Sequence, residues 1–219
     1  VNVNLMKNSG FTLLEILVAT AVMSVLLTVL YGAYTSNLEA IQTSRSSGQL
    51  SQTARIVLER MSKDLESAFI TVPYTETPVA LGMRLEEQRI GERPAARLDF
   101  SALSHISFSG KGEGDLCEVA YFLEEDPEGG GLILYRRDDG SPDHDFTEGG
   151  YREELARMVA GLEIVFQDDQ GREHAAWRAE NDGALPALVR IRLRLADGSG
   201  RERVFSTRVR PALANPKPE

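Results

Sequence analysis

FTLLEILVATAVMSVLLTVLYGAY, residues 11–34, is 24 residues long, contains no proline and carries one ionisable side chain, Glu15. At about 1.5 Å of rise per residue, such a helix is roughly 36 Å long, enough to cross a hydrocarbon layer about 30 Å thick. Lys7 is the only other charge in the first 34 residues. The 219-residue chain has a net charge of −9, from 24 Lys and Arg against 33 Asp and Glu, so the whole acidic excess lies after the apolar run. The sequence therefore reads as an N-terminal membrane anchor followed by one acidic domain. A charged fraction of 26% excludes a polytopic membrane protein, and an apolar fraction of 42% argues against a disordered chain. The pI near 5.0 speaks against broad attraction to nucleic acid or anionic lipid. Cys117 is the single cysteine, so neither an intramolecular disulfide nor a cysteine-based zinc site can form.

Three kinds of anchor compete. A secretory signal peptide should end its apolar core after about 7–15 residues at a small-residue cleavage site. Here the run is longer, and residues 35–69 continue it as a helix. A plain signal anchor explains the length but not Glu15. A carboxylate at the bilayer centre costs on the order of 3 kcal/mol, less near the interface, and calls for a partner or a headgroup position.

The residues around Glu15 bear on that choice. Lys7-Asn8-Ser9-Gly10-Phe11-Thr12-Leu13-Leu14-Glu15 resembles the prepilin peptidase recognition site of type IV pilins and type II secretion pseudopilins. The resemblance implies a leader of residues 1–10, cleavage between Gly10 and Phe11, and N-methylation of the new amine on Phe11. It gives Glu15 the role of pairing with a subunit's N-terminus during assembly. The chemistry is consistent with this. Gly10 lacks a Cβ that would obstruct a narrow protease cleft. The ammonium released at Phe11 lies within a turn of Glu15, where the two charges can neutralise in low dielectric. Lys7 places the leader on the cytoplasmic side of the inner membrane and the domain in the periplasm. Met6 is a second candidate for the start of the chain.

Beyond the anchor, Leu50, Ala54, Val57, Leu58, Met61, Leu65 and Phe69 recur at spacings of three and four. Gln52, Arg55, Glu59, Arg60, Lys63, Asp64 and Glu66 take the opposite, polar face. This predicts an amphipathic continuation over residues 35–70, ending before Pro73, with Gly32 and Gly48 as weak points. The stripe is expected to pack on the domain's own sheet. Residues 71–94 read as an irregular connection. Strands are predicted over residues 97–102, 105–108, 118–123, 132–137, 162–167, 187–195 and 203–209, separated by Asp- and Gly-rich turns. Val189 to Leu195 alternates cleanly, which buries one face and turns Arg190, Arg192 and Arg194 to water or to an acidic neighbour. The expected fold class is α+β, pilin-like: a long N-terminal helix, half transmembrane and half amphipathic, packed on antiparallel β-sheet. The β-rich domain is expected over residues 71–210 and a flexible tail over residues 211–219.

A second resemblance lies in that domain. Leu132–Arg137, the Val159-x-x-Leu162-x-x-x-Phe166 run, Trp177 and the Leu185-Pro186-x-x-Val189 segment are similar to the J class of minor pseudopilins of type II secretion. It implies a structural subunit at the tip of a periplasmic pseudopilus. Its partners would be the I, K and H classes and the major pseudopilin. Prepilin peptidase would be the processing enzyme, and nucleic acid is not expected as a partner. The alternatives are a minor pilin of a type IV or DNA-uptake pilus, and a singly anchored periplasmic binding domain.

No enzyme constellation stands out. His105, His144 and His174 are scattered, no G-x-S-x-G elbow exists, and Gly129–Gly131 lie between strands as a hairpin. His105 is read as a strand side chain, His174 as solvated, and Cys117, Phe166 and Trp177 as core. The best metal candidates are Asp138, Asp139, Asp143 and Asp145, with Glu148, in one acidic loop whose oxygen ligands suit calcium. The spacing is not that of an EF-hand and Pro142 restricts the loop, so a solvated acidic loop is the simpler reading and no metal is assigned.

Overall fold

The computed structural model describes residues 12–70, 82–104, 115–141, 148–178 and 184–213, without the side chains of residues 39, 40, 42 and 43. The predicted strand at 105–108 and the tail beyond residue 213 lie outside these. The chain divides into two compact units, the first ending at Ser46 and the second beginning at Ser47.

A single helix, α1, covers Leu13–Glu66 and contributes to both units. Thr12 caps it: the Glu15 amide donates to Thr12 Oγ1 at 3.2 Å, satisfying one of the donors that every helix start leaves open. Gly32 and Gly48 lie inside the helix, with no atom within 4 Å of where a Cβ would stand. They interrupt nothing. The helix ends at Glu66, before the predicted stop at Pro73. The amide of Phe69 donates to Ser101 O at 2.8 Å and that of Leu103 to Ser67 O at 3.0 Å, so the backbone beyond Glu66 pairs with a strand.

In the second unit the strands are β1 (Met83–Glu86), β2 (Arg89–Ile90), β3 (Arg93–Pro94), β4 (Arg97–Ala102), β5 (Cys117–Glu125), β6 (Leu132–Asp139), β7 (Tyr151–Gln167), β8 (Glu173–His174), β9 (Trp177–Arg178), β10 (Leu188–Ala196) and β11 (Glu202–Val209). The main sheet is antiparallel in the order β11-β10-β7-β6-β5-β4-β1-β9, with β8 also on β7. Period-2 alternation explains its faces. Val189, Ile191, Leu193 and Leu195 are buried together with Phe166, Ile164 and Leu162 across the ladder. Ala54, Val57, Leu58, Met61 and Leu65 of α1 join the same core. The predicted stripe does pack on the domain's own sheet.

Two predicted features change. The segment read as irregular holds β1, whose Met83 and Leu85 are buried between half-exposed Arg84 and Glu86, and the β2–β3 hairpin. Four alternating residues among prolines and glycines are too few to register as a strand by pattern alone. The strand expected at 162–167 starts eleven residues earlier, as β7. Its first half, YREELARM, is rich in helix formers, and pairing with β6 overrides that preference. Met158 takes a left-handed φ of 57° within β7, near the points where the registers with β6 and β10 shift. Pro94 sits on the backbone of Gly161, where a Cβ would stand 2.9 Å from Pro94 Cγ, so the β2–β3 hairpin needs glycine there.

Candidate functional site

Glu15 lies in the first turn of α1, three residues after its capping Thr12, an arrangement that places a carboxylate at the positive end of the helix dipole. Gly10 and Phe11 lie outside the described residues. Leu13–Leu38 is long and apolar enough to cross a membrane, with a mean hydropathy of 2.4 over 18 of its residues, and none of the span is buried. Leu13, Leu14, Leu17, Val25, Leu30 and Tyr31 each expose 60% or more of their surface. Three hydroxyls in the middle of the span bond to the helix's own backbone. Thr20 donates to Leu17 O at 3.0 Å, Ser24 to Thr20 O at 2.8 Å and Thr28 to Ser24 O at 2.8 Å. A helix apolar on every side, with its central Thr and Ser hydroxyls bonded internally, suits hydrocarbon or the apolar centre of a helical assembly.

The second unit holds a feature that the sequence reading placed wrongly. Asp64, assigned to the polar face of α1, is buried at 2% exposure. Tyr121 Oη of β5 donates to Asp64 Oδ2 at 2.6 Å, and Arg136 Nε of β6 donates to the same oxygen at 2.7 Å. Arg136 Nη1 also donates to Asp138 Oδ2 at 2.6 Å. Burial pushes the Tyr121 hydroxyl pKa well up, and the neighbouring carboxylate adds to this. Burial disfavours the Arg136 charge, but the hydrogen bond and charge of Asp64 outweigh it and raise its pKa. Arg136 is thus held in its charged form. The signal was present in the spacing. Asp64 follows Val57 by seven and Met61 by three, Tyr121 is in phase with Val119 and Leu123, and Arg136 with Leu132 and Leu134.

Among the proposed calcium ligands, Asp138 is the Arg136 partner just described, and Asp139 Oδ1 accepts the Ser141 amide at 2.9 Å. Asp143 and Asp145 lie outside the described residues, as do His105 and His144. Among the described residues no three His, Cys, Asp or Glu side chains group as a metal site would require. Cys117 is buried, with its thiol pushed up in pKa by burial, and Phe166 and Trp177 meet edge-to-face at 6.0 Å in the core. His174 is half-buried rather than solvated, with its ring 5.3 Å from Trp177 and Nε2 3.0 Å from Asp168 Oδ2.

Two hairpins share one turn chemistry. Asp168 and Asp197 each begin a D-x-x-G-R turn, and each accepts the amides of the residues two and four positions on, plus the Arg Nε. The His174 hydrogen bond, with the Arg172 and Gln170 donors, holds the Asp168 carboxyl well below the usual range. The Ser199 hydroxyl and the Arg201 amide do the same for Asp197. A carboxyl depressed in the folded state stabilises above its unfolded pKa, about 4, and that stability is lost as pH falls toward the folded value. The melting temperature is therefore expected to fall steeply from about pH 4 to pH 2. Asp168→Asn with Asp197→Asn should lower it at neutral pH and flatten that acid limb. Parallel acid limbs in thermal melts of variant and parent would remove these turns as the cause.

A family model described as type II secretion system (T2SS), protein J, matches residues 32–207. A second, described as the prokaryotic N-terminal methylation motif, matches residues 5–31. A solved structure, described as the GspK-GspI-GspJ complex of the type 2 secretion system of enterotoxigenic Escherichia coli, contains a chain 16% identical to this one. That match has a TM-score of 0.47 and covers 73% of this chain and 96% of the other. No curated protein matches the chain.

Proposed function

The chain belongs to the type II secretion system protein J family and is a minor pseudopilin, and from that premise we propose how its parts act. Prepilin peptidase cuts between Gly10 and Phe11 at the cytoplasmic face, and the amine of Phe11 is methylated. The apolar helix holds the subunit in the inner membrane and then leaves it to pack among other pseudopilin helices. The domain meets its partners in the periplasm, at the tip of the filament, and performs no reaction of its own. Those partners are pseudopilins of the I and K classes.

The observation behind this reading is the exposed apolar helix from Leu13 to Leu38, most of which lies inside the match to the methylation motif. Lipid accounts for such a surface only until assembly; neighbouring helices of the same kind account for it afterwards. Mass spectrometry of the full chain, tagged and isolated from its native membranes, tests the reading. A mature chain beginning at N-methyl-Phe11, together with pseudopilins, is the expected result. Gly10→Ala should leave the precursor uncut, and an unchanged processed form would contradict the assignment of Gly10. Pilus subunits in place of pseudopilins would turn the tip assignment into that of a minor pilin.

A further inference from the structure

The outward side chains of β10 are Arg190, Arg192 and Arg194, and the register of β11 sets Arg208 directly opposite Arg190 and Ser206 opposite Arg192. Like charges facing each other across antiparallel strands repel. Few carboxylates relieve them. Glu173 takes Arg190 at 2.7 Å. Glu163 is bound by Arg194 and is shared with Arg192, at 3.6 Å. Arg208 has no carboxylate partner among the described residues, and Arg190 Nε is buried without a hydrogen bond. Arg190, Arg192, Ser206 and Arg208 line one cleft. A local excess of cations thus stands on a chain whose net charge is −9.

An arginine on an edge strand commonly prevents sheet-to-sheet pairing. That reason covers Arg208, on the terminal strand β11, but not Arg190 and Arg192, whose strand is already paired on both sides. Guanidinium groups match carboxylates with two parallel donors. Alternate outward positions of a strand repeat at roughly 6.8 Å, which is also the repeat of alternate side chains in an extended acidic segment.

We propose that the outer face of β10 and β11 docks an extended segment of a neighbouring filament subunit, with carboxylates at alternate positions meeting the facing pair Arg190 and Arg208 and then Arg192. The proposal rests on the filament reading given above. Charge complementarity commits it to an acidic protein segment, and the shared carboxylate Glu163 leaves Arg192 available to it.

The test uses the full chain in secretion-proficient cells, with a photo-crosslinking residue at Ser206 and the crosslinked peptides identified by mass spectrometry. The expected product joins Ser206 to a segment of another pseudopilin bearing Asp or Glu at alternate positions. Arg192→Glu with Arg208→Glu should lower its yield about tenfold or more, and Lys in place of the captured carboxylates should restore it. Both arginines are exposed, and an unchanged Trp177 fluorescence melt establishes that the reversed variant is folded. An unchanged yield in that variant overturns the proposal, as does a product with a second copy, lipid or an exported protein, or no product. The mature N-terminus and co-isolated subunits are read from the same sample. If both are normal while Ser206 captures nothing, the surface fails and the filament reading stands. An unprocessed N-terminus without pilin-type subunits overturns both.

Discussion

Asp64→Ala is expected to cost about 3–5 kcal/mol of stability, because it leaves Arg136 and the Tyr121 hydroxyl buried without their common acceptor. The side chains of Asp64 and Arg136 are each 3% exposed, so water cannot take the place of the lost carboxylate. Trp177, the only tryptophan and itself buried, reports unfolding of this unit in urea titrations of the detergent-solubilised full chain. A loss under about 1 kcal/mol would mean that the network contributes little. Replacing the three together, as Asp64→Leu, Tyr121→Phe and Arg136→Met, should recover most of the loss, since the buried guanidinium and its carboxylate leave together and Asp138, which also loses Arg136, is 17% exposed and within reach of water. A triple variant as unstable as Asp64→Ala would assign the loss to packing instead. The network ties α1 to β5 and β6 through one carboxylate oxygen, so it also sets the register of the helix on the sheet.

Glu15→Val is expected to leave the subunit in the membrane and reduce its incorporation, and with it secretion, on the order of a hundredfold. That corresponds to about 3 kcal/mol, the scale for removing one partner of a desolvated ion pair. The structure adds a control. Glu15 occupies the third position after the capping Thr12, where Gln supports a helix start as Glu does. Glu15→Gln therefore retains the local helix and loses only the charge. If it assembles normally while Glu15→Val does not, the residue acts by capping; if both fail, it acts by pairing with an amine. Normal secretion by both variants would leave Glu15 with no part in assembly.

Some strands could be read almost residue by residue. β4 covers 97–102 as its pattern predicts, and β10 and β11 fall within one residue of their predicted bounds. β4 and β10 alternate over six or more residues between turn signals, and that information is local. β1 and the first half of β7 could not be read this way. The former is too short, and the latter is written in helix-forming residues that only the β6 ladder holds extended. The arginines of β10 were readable as an outward row, but not their crowding against Arg208, which arises from the register of a separate strand.

The sequence by itself determined the anchor, the acidic domain and the antiparallel character of its sheet. A helix apolar on all sides and a strand alternating by two need no distant residue to be recognised. Spacing marks Asp64 as in phase with the buried stripe, but tertiary structure alone decided which polar groups meet inside. Asp64 meets Tyr121 across 57 positions and Arg136 across 72. A charge is tolerated in a core only when its partner arrives there too, and that meeting is a property of the folded topology rather than of either segment.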